Sequence, residues 1–486
     1  DCILLTHAHI DHSGLIPLMY VNGFRGQVYS TSATAQLCEI MLRDSAHIQM
    51  FEAEWRNRKA ARSGGKLKEF VPLYDMDAAV NVCKQFVGCE YDKIYNIADG
   101  IKIRFTDVGH LLGSASIEVW ATEKTENGDV TEKIVFSGDI GNINKPIIKD
   151  PKHVTDADYV VMESTYGNRS HGGTPNYVED LTNIFKRTFE RGGNVVIPSF
   201  AVGRTQELLY IIRKIKEDNL VGRDFDVYMD SPLAIEATNI FIKNVESCFD
   251  DEAVELVRKG INPLSFPGLK YATTGDESKQ INFDPNPKVI ISSSGMCEAG
   301  RIRHHLKHNL WRPECTIVFV GYQAVGTTGR IIVDGAEEIK LFGEPIQIKA
   351  EIVQLKGSSG HADKDGLLCW INAFDRKPKK VFVVHGEDSV CDEFTECLKE
   401  EYGYDAMAPY TGGSYDLIAD RVISEGVKER KTRRTTSTQR GKTVFDRLVA
   451  AGKRLMTVIT HNEGGTNKDL AKFTDQINAL CDKWDR

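Results

Sequence analysis

The hydrophobic and polar positions of this chain form short apolar runs that end in small or polar residues. Runs such as Val195–Ile197, Val289–Ile291 and Thr316–Val320 are rich in β-branched residues, which is typical of buried strands. Longer segments with helical spacing lie between the runs, for example Thr34–Asp44 and Asp75–Phe86. This alternation of strands and helices predicts an α/β protein with a parallel sheet.

The order of these runs predicts one domain that a second domain interrupts. Strand-like runs that end in histidine or aspartate occur near the start of the chain and again near residue 385, and a block of different character separates them. The tail carries a basic segment, Lys428–Arg434, which predicts an exposed linker, and Val444–Trp484 then predicts helices. The predicted divisions are 1–167 and 351–418 for the interrupted domain, 168–350 for the insert and 419–486 for the linker and tail.

Composition narrows the class of protein. The chain has 486 residues, of which 41% are hydrophobic, enough to bury more than one core. It contains no run of about eighteen apolar residues, so no membrane span is expected. The eleven cysteines include no CxxC pair, which indicates reduced thiols and a cytoplasmic protein. For Cys297, which lies near a candidate active loop, we expect a packing role.

The strongest chemical signal follows the first apolar run, Ile3–Leu5. His7, His9, Asp11 and His12 place three imidazoles and one carboxylate within six positions. If the strand continues to His9, both of the first two side chains point to one face and can share a metal ion. Imidazole and carboxylate together suit zinc, and so rich a cluster can supply two ions. A hydrated polar turn is the alternative interpretation.

Three further candidate ligands repeat one local setting. Each follows an apolar strand-like run and lies beside a glycine, as after Ile101–Val108, within Ile134–Asp139 and after Val381–Val384. A lone histidine at a strand end is more often structural. The repetition, with a metal cluster already present in the chain, favours ligands. The three residues are His110, Asp139 and His385.

Together these seven residues resemble the ligand set of the metallo-β-lactamase hydrolases. Three more segments are similar to the motifs that distinguish the β-CASP nucleases within that superfamily. Val160–Gly167 resembles their acidic motif A and includes Glu163. Gly357–Asp363 resembles motif B and includes His361, and Val384–Gly386 resembles motif C. The motifs are specific as a set, and the resemblance covers about residues 1–418.

Motif C points to RNA as the substrate. In the RNA-cleaving branch, the prokaryotic relatives of the endonuclease subunit of pre-mRNA 3′-end processing, this motif carries a histidine, whereas DNA-processing relatives usually carry valine. Here the residue is His385. The resemblance therefore implies a ribonuclease of single-stranded RNA, cutting endonucleolytically and leaving 5′-phosphate and 3′-hydroxyl ends in RNA processing or decay.

The same resemblance implies an architecture. We expect a metallo-β-lactamase αββα sandwich with an inserted α/β β-CASP domain, and an active site in the cleft between the two domains. The family usually places two or more strands before the first metal motif, whereas this chain begins at Asp1 inside that motif's strand. We therefore expect N-terminal strands to be missing and the sequence to be an incomplete record. We find no KH-type GXXG module.

Roles for the site residues also follow from the resemblance. We expect two zinc ions per chain, a shared hydroxide as nucleophile, and a general acid that protonates the leaving 3′-oxygen. Without the resemblance, Glu163 would be interpreted as a surface carboxylate at a strand end. By similarity, His7, His9 and His110 hold one ion; Asp11, His12 and His385 hold the other; Asp139 bridges them; and Asp11, Glu163 and His361 are catalytic, with His361 as the acid that Glu163 orients.

Two turns are candidate phosphate cradles. The turns Pro198–Arg204 and Ser292–Met296 each follow an apolar run, and backbone N–H groups at such turns bind anions. A basic segment without an acid, Arg301–His308, comes after the second turn. The net charge of −8 does not exclude a polyanion, because local charge decides binding in a groove. Such turns are common in α/β folds, so a structural role is the alternative. The candidate phosphate-binding residues are Ser199, Arg204, Ser294, Arg301 and Arg303.

Several alternative functions differ in the residues they need. A small-molecule hydrolase of the superfamily would share the zinc ligands but would not need the insert, Glu163 or His361. A DNA-directed β-CASP nuclease would usually lack His385, and a silent RNA-binding paralogue should have lost ligands. A 5′–3′ exoribonuclease of the same family remains open. The expected partner is single-stranded RNA, with no membrane and a possible homodimer.

Overall fold

The computed structural model describes residues 1–62, 69–126, 128–170, 172, 176–355, 359–428 and 467–484, together with 452, 455–456 and 458–460. The chain forms two compact units, Asp1–Gly426 and Val427–Arg486. Gly357 and Ser358 of motif B, residues 429–434 of the predicted linker and most of the predicted tail helices before residue 467 lie outside the described residues.

A small parallel sheet carries the beginning of the chain. Its three strands pair in chain order, and two of the connecting helices pack on the sheet through buried residues such as Leu37 and Val82. These elements are β1 (Ile3–Leu4), α1 (Ile10–Ser13), α2 (Ile16–Val21), β2 (Val28–Thr31), α3 (Ser32–Arg62), α4 (Met76–Cys83) and β3 (Phe86–Cys89).

A larger mixed sheet faces the small one. Its strands are β4 (Ile94–Ala98), β5 (Ile101–Asp107), β6 (Ala115–Thr125), β7 (Gly128–Phe136), β8 (Tyr159–Glu163), β17 (Lys380–Val384) and β18 (Ala406–Met407), covered by α13 (Lys364–Ile371) and α14 (Asp388–Glu400). The order is β18-β17-β8-β7-β6-β5-β4. Ile103, Phe105 and Ile117 of this sheet pack against Cys89 of β3, so an apolar layer joins the two sheets. The arrangement is helix, sheet, sheet, helix.

The chain between β8 and α13 forms a third sheet of six parallel strands. Its elements are α5 (Tyr177–Glu190), β9 (Val195–Pro198), α6 (Arg204–Glu217), β10 (Asp226–Asp230), α7 (Pro232–Lys243), α8 (Val245–Cys248), α9 (Asp251–Arg258), β11 (Leu269–Tyr271), α10 (Gly275–Phe283), β12 (Lys288–Ser292), α11 (Ile302–Asn309), β13 (Thr316–Phe319), α12 (Thr328–Val333), the hairpin β14 (Glu338–Leu341) and β15 (Glu344–Gln347), and β16 (Glu351–Gln354). The order is β11-β10-β12-β9-β13-β16. Strands β9, β12 and β13 are buried throughout, as both faces of a parallel sheet require.

The architecture confirms the predicted fold class, an α/β sandwich of two sheets with an inserted parallel α/β sheet. The described chain ends with a hairpin, β19 (Ser414–Asp416) and β20 (Arg421–Ser424), and a helix, α15 (Asn467–Trp484). In the described part of the chain, no helix combines the length and the apolar character that a membrane crossing requires.

Two local predictions are corrected by the structure. Strand β1 ends at Leu4, so His7 and His9 lie in the loop after it and do not share a strand face. The sequence predicts that Glu351–Gln354 belongs to the returning part of the interrupted domain, but this segment pairs in parallel with β13 of the insert. Glu351 is held there by Arg187 of α5 and by Arg191, which directly follows α5, each with a guanidinium nitrogen 2.7 Å from a carboxylate oxygen. We propose that the boundary predicted at residue 350 lies after Gln354.

Candidate metal centre

A short helix fixes the first group of candidate ligands. His9 is the N-cap of α1, and its carbonyl oxygen accepts hydrogen bonds from the backbone N–H groups of His12 (3.0 Å) and Ser13 (2.9 Å). The Ser13 hydroxyl donates to the carbonyl oxygens of Ala8 and His9. The chain is thus turned back on itself, so that Asp11 and His12 project beside the loop rather than away from it.

Four residues form a buried group. His7, His9, His110 and Asp139 each offer a ligand atom, and these atoms all lie within 4.8 Å of one another. His9 Nδ1 is 3.1 Å from His110 Nε2, and His7 Nε2 is 3.3 Å from Asp139 Oδ2. The set combines neutral nitrogen ligands with one carboxylate, which is the donor chemistry of a zinc site.

Three residues form a second, more accessible group. Asp11, His12 and His385 also offer atoms within 4.8 Å of one another. His12 Nε2 is 2.9 Å from His385 Nε2, and His385 Nε2 is 3.7 Å from Asp11 Oδ2. The side chain of Asp11 is 64% exposed, so this side of the centre is open to solvent.

Asp139 lies between the two groups. Its Oδ2 faces the buried group, 3.3 Å from His7 Nε2 and 3.6 Å from His110 Nε2. Its Oδ1 faces the open group, 3.4 Å from His12 Nε2 and 3.6 Å from His385 Nδ1. One carboxylate oxygen directed at each group is the arrangement that a bridging ligand needs.

Two buried atoms show that the residues fit a cation. His7 Nε2 and Asp139 Oδ1 are buried and have no hydrogen-bond partner among the described residues. Buried polar atoms without a partner cost free energy and call for an explanation. His7 Nε2 lies in the buried group and Asp139 Oδ1 faces the open group, so metal ions bound at the two groups would satisfy both atoms. The donor set therefore fits metal ions.

Electrostatics keep the buried imidazoles neutral. Burial, together with the neighbouring His7, lowers the pKa of His9 to about 3, and burial also lowers the pKa values of His7 and His110. Burial acts to raise the pKa of Asp139, but its contacts with His12 and His7 hold that pKa below its ordinary value. Neutral imidazole and ionised carboxylate are the forms that bind metals.

Close backbone contacts bring the ligand loops together. Gly138, immediately before Asp139, has φ +61°, and a Cβ there would lie 2.9 Å from both the Ala115 carbonyl oxygen and Thr6 Cβ. A Cβ at Gly141 would lie 2.1 Å from the carbonyl oxygen of Gly109. Only glycine allows these approaches, which place the loop of Asp139 directly against the loop of His110.

Glu163 and His361 meet at the edge of the centre. Glu163 ends β8 and is buried, so it is not the surface carboxylate that its sequence alone suggests. Its Oε1 accepts a hydrogen bond from the backbone N–H of Ile140 (2.6 Å), and its Oε2 lies 3.2 Å from His361 Nδ1. Burial acts to lower the pKa of His361, but the Glu163 charge outweighs it and the pKa is raised. His361 Nδ1 is also 3.9 Å from Asp139 Oδ2.

Two of the five candidate phosphate contacts lie at one edge of the inserted sheet. Ser199 and Ser294 follow the adjacent strands β9 and β12, and the Ser199 N–H donates to the Ser292 carbonyl oxygen (3.0 Å). Ser199 itself is buried, and its hydroxyl oxygen accepts a hydrogen bond from Thr205. Ser294 forms hydrogen bonds with Ala299 within its own turn.

The three candidate arginines are engaged by other groups. The Arg301 guanidinium lies 2.7 Å from Asp230 and donates to the carbonyl oxygens of Ala272 and Thr273. Arg303 lies over the Phe342 ring, 4.7 Å from its centroid. Arg204 forms an ion pair with Glu207. Phosphate binding by these arginines stays a prediction.

One buried contact that the sequence analysis missed joins the insert to a ligand loop. Lys145 Nζ donates to the His110 carbonyl oxygen (2.9 Å) and lies 3.1 Å from Glu207 Oε1 of α6. Glu207 also pairs with Arg204 at 2.5 Å, so a buried chain of charges connects α6 to the backbone of a ligand. Nothing in the sequence marks Lys145, which is a single lysine before a proline.

We expect Lys145→Met to destabilise the folded protein by about 1–3 kcal/mol, because the His110 carbonyl oxygen loses a donor while Arg204 still neutralises Glu207. Urea unfolding followed by circular dichroism measures the free energy. Lys214→Met is the matched control, because Lys214 pairs on the surface with Glu252 and such pairs contribute less than about 1 kcal/mol. Equal losses in the two variants would contradict a structural role for the buried link.

Comparison with known proteins places two family domains in the chain. Residues 205–332 match the Beta-Casp domain. Residues 345–409 match the Zn-dependent metallo-hydrolase RNA specificity domain. The first match covers most of the inserted sheet, and the second includes His361 and His385. The first match therefore identifies the insert, and the second overlaps the elements that build the centre.

Whole-chain relatives agree with these domains. The chain is 35% identical to Ribonuclease TTHA0252 of Thermus thermophilus over 388 residues, which is 80% of this chain and 81% of that protein. It is 31% identical to an RNase J-like protein of Methanocaldococcus jannaschii, over 80% of this chain and 82% of that one. It is also 32% identical to the transcription termination factor FttA of Methanosarcina mazei, of which it spans 62%.

Proposed function

We propose that this chain, which belongs to the β-CASP ribonucleases of the metallo-β-lactamase superfamily, cuts single-stranded RNA endonucleolytically with two zinc ions. The observation that carries the proposal is Asp139, whose two oxygens face two separate ligand groups. The relatives' names support RNA as the substrate class, since one is a ribonuclease and another is RNase J-like. The cytoplasmic location and the homodimer stay predictions.

The residues around Asp139 would hold the metals. When bound, the ions supply Lewis-acid activation of water and neutralise charge on the phosphoryl oxygens. Thr165 and Gly360 steady two of the ligands, since Thr165 Oγ1 lies 3.1 Å from His385 Nδ1 and the Gly360 carbonyl oxygen lies 3.1 Å from His110 Nδ1. We assign His7, His9 and His110 to one ion, Asp11, His12 and His385 to the other, and Asp139 to both.

We assign proton donation to His361. An alkoxide such as the 3′-oxygen of RNA leaves poorly unless it is protonated as the bond to phosphorus breaks. The Glu163 carboxylate holds His361 Nδ1 and favours the protonated imidazolium, so the proton for the leaving group would come from Nε2. Cleavage by water leaves a 5′-phosphate and a 3′-hydroxyl. Glu163 positions His361 and does not itself touch the phosphate in this scheme.

The substrate class can be tested with matched nucleic acids. We expect single-stranded RNA to be cut much faster than single- or double-stranded DNA of the same sequence, because the centre includes a histidine at position 385. High salt should weaken binding, since contacts with phosphates release counterions. Purified full-length protein is incubated with 5′-labelled strands, and His361→Ala serves as the control for contaminating nucleases. Equal or faster cleavage of DNA would contradict RNA as the substrate.

A circular RNA separates the two modes of cleavage. An endonuclease cuts a circle and produces one linear product, whereas a 5′–3′ exonuclease needs a free end. We expect linear product from the circle at a rate comparable to the linear RNA. Degradation of the linear RNA to mononucleotides, with the circle intact, would favour the alternative 5′–3′ exoribonuclease.

A further inference from the structure

Phe200 is an exposed aromatic side chain between buried neighbours. It follows β9 and is 45% exposed, whereas Ser199 is fully buried and Ala201 is 8% exposed. The hydroxyl of Thr205 donates to the Phe200 carbonyl oxygen (2.7 Å), and the backbone N–H of Thr205 points to the same oxygen (3.3 Å). The backbone of Phe200 is therefore fixed while its ring remains accessible.

Part of the Phe200 ring packs against two glycines. A Cβ at Gly295 would lie 3.2 Å from Phe200 Cδ2, and a Cβ at Gly321 would lie 4.0 Å from Phe200 Cε2. Gly295 follows β12 and Gly321 follows β13, the strands on either side of β9. The ring thus packs against backbone at the carboxyl edge of the inserted sheet, where ligands bind in open α/β sheets.

The turn that carries Phe200 adjoins the metal centre. A Cβ at Gly203 would lie 3.0 Å from Leu111 Cδ1, and Leu111 directly follows the ligand His110. The chain from Phe200 to Gly203 spans at most about 10 Å, so this short turn keeps Phe200 near the loop that follows His110. An exposed, fixed aromatic ring at this place has a geometry suited to a nucleobase.

We propose that Phe200 stacks on one base of the RNA next to the phosphate that is cut. The inference rests on the proposed function and adds a contact to it. Every base offers a π-face, so stacking on one ring holds single-stranded RNA without reading its sequence. Phe200 would thereby position the strand, while the chemistry is left to the centre.

The test pairs variants of Phe200 with RNA that lacks single bases. Abasic nucleotides are placed one at a time on each side of the cut, and kcat/KM is measured with the full-length, zinc-loaded protein. For the wild type we expect one abasic position to cost about tenfold, within the range of about 5- to 150-fold that stacking contributes. With intact RNA, Phe200→Leu should lower kcat/KM by about the same factor. The kcat/KM of this variant should then be unchanged when the abasic nucleotide is placed at that position. Phe200→Trp should behave as the wild type.

Leucine fills the space beside the two glycines but cannot stack, so a purely structural role would leave the abasic response unchanged. Phe283→Ala is the matched control, because Phe283 is 76% exposed and precedes β12 at the opposite edge of the sheet. It should keep the wild-type response. If Phe200→Leu responds to every abasic position as the wild type does, the inference is wrong and the nuclease assignment stands. If the wild type cuts no RNA, the proposed function fails and the inference with it.

Discussion

Asp139→Ala should abolish RNA cleavage and remove zinc from the protein. Asp139 lies within 3.3–3.6 Å of histidine nitrogens from both ligand groups, so its loss dismantles both sites at once. Metal ions contribute several kcal/mol of charge stabilisation in the transition state, which corresponds to a loss of at least about a thousandfold. Metal analysis by mass spectrometry and a cleavage assay on the same preparation measure both effects. His12→Ala should also abolish cleavage, because it removes a ligand of the open group.

Controls separate metal loss from unfolding. Asp139→Asn keeps the shape of the side chain but removes its charge, and we expect it to fold normally and still to lose zinc and activity. Asp276→Ala removes an aspartate that is 87% exposed on α10, and it should change neither the zinc content nor the cleavage activity. Wild-type protein that is active with one metal ion per chain, or with none, would contradict the binuclear assignment.

The candidate ligands were predictable because they are local. His7, His9, Asp11 and His12 stand together in the chain, and a strand end followed or preceded by glycine marks the other three. The side chains lie close together although β1 ends at Leu4 and the strand geometry expected for the first pair is absent; their role as ligands stays a prediction. The helix that begins at Ile10 and the bend before it bring these side chains together instead. The residue types and their spacing thus indicated the cluster better than the strand conformation assumed for His7 and His9.

Long-range partners could not be predicted from the sequence. The basic segment that begins at Arg301 has no acid inside it, yet Asp230, at the end of strand β10, lies 2.7 Å from Arg301 and 2.6 Å from His305. Glu207 similarly engages Lys145, which lies on a different domain of the fold. Local charge in the sequence therefore overstated how many cations are available to a phosphate. Only the packing of distant elements decides which charges are already paired.

The burial of Glu163 is a second feature that could not be predicted from the sequence. A carboxylate at the end of a strand is usually solvated, and nothing within Val160–Gly167 shows that it is buried. Its burial results from the Ile140 backbone, which follows the Asp139 ligand, and from His361, which is nearly two hundred residues away in the chain. The resemblance to a family identified the pair, and the structure supplies the physical reason for it.

His361→Ala should leave both zinc ions and the affinity for RNA intact while the chemical step collapses. We assign His361 to proton donation and not to metal binding, because its Nδ1 is held by Glu163. That nitrogen is 3.9 Å from Asp139, farther than the nitrogens of His7, His12, His110 and His385 at 3.3–3.6 Å. General acid catalysis contributes about 10²–10⁴-fold, which sets the expected loss in kcat. Single-turnover cleavage measures that loss. Metal analysis measures the zinc content, and fluorescence anisotropy measures the affinity for RNA.

The leaving group provides the decisive comparison. A nitrophenyl phosphodiester releases an oxygen that departs without a proton, so the loss caused by His361→Ala should shrink sharply on that substrate. Glu163→Gln should show a milder form of the same pattern, because it weakens the orientation of the imidazole without removing it. His47→Ala, which removes an exposed histidine of α3, should change the cleavage rate of neither substrate. If His361→Ala strips a zinc ion, or slows both substrates equally, then His361 is a ligand or a structural residue and the proton must come from another group.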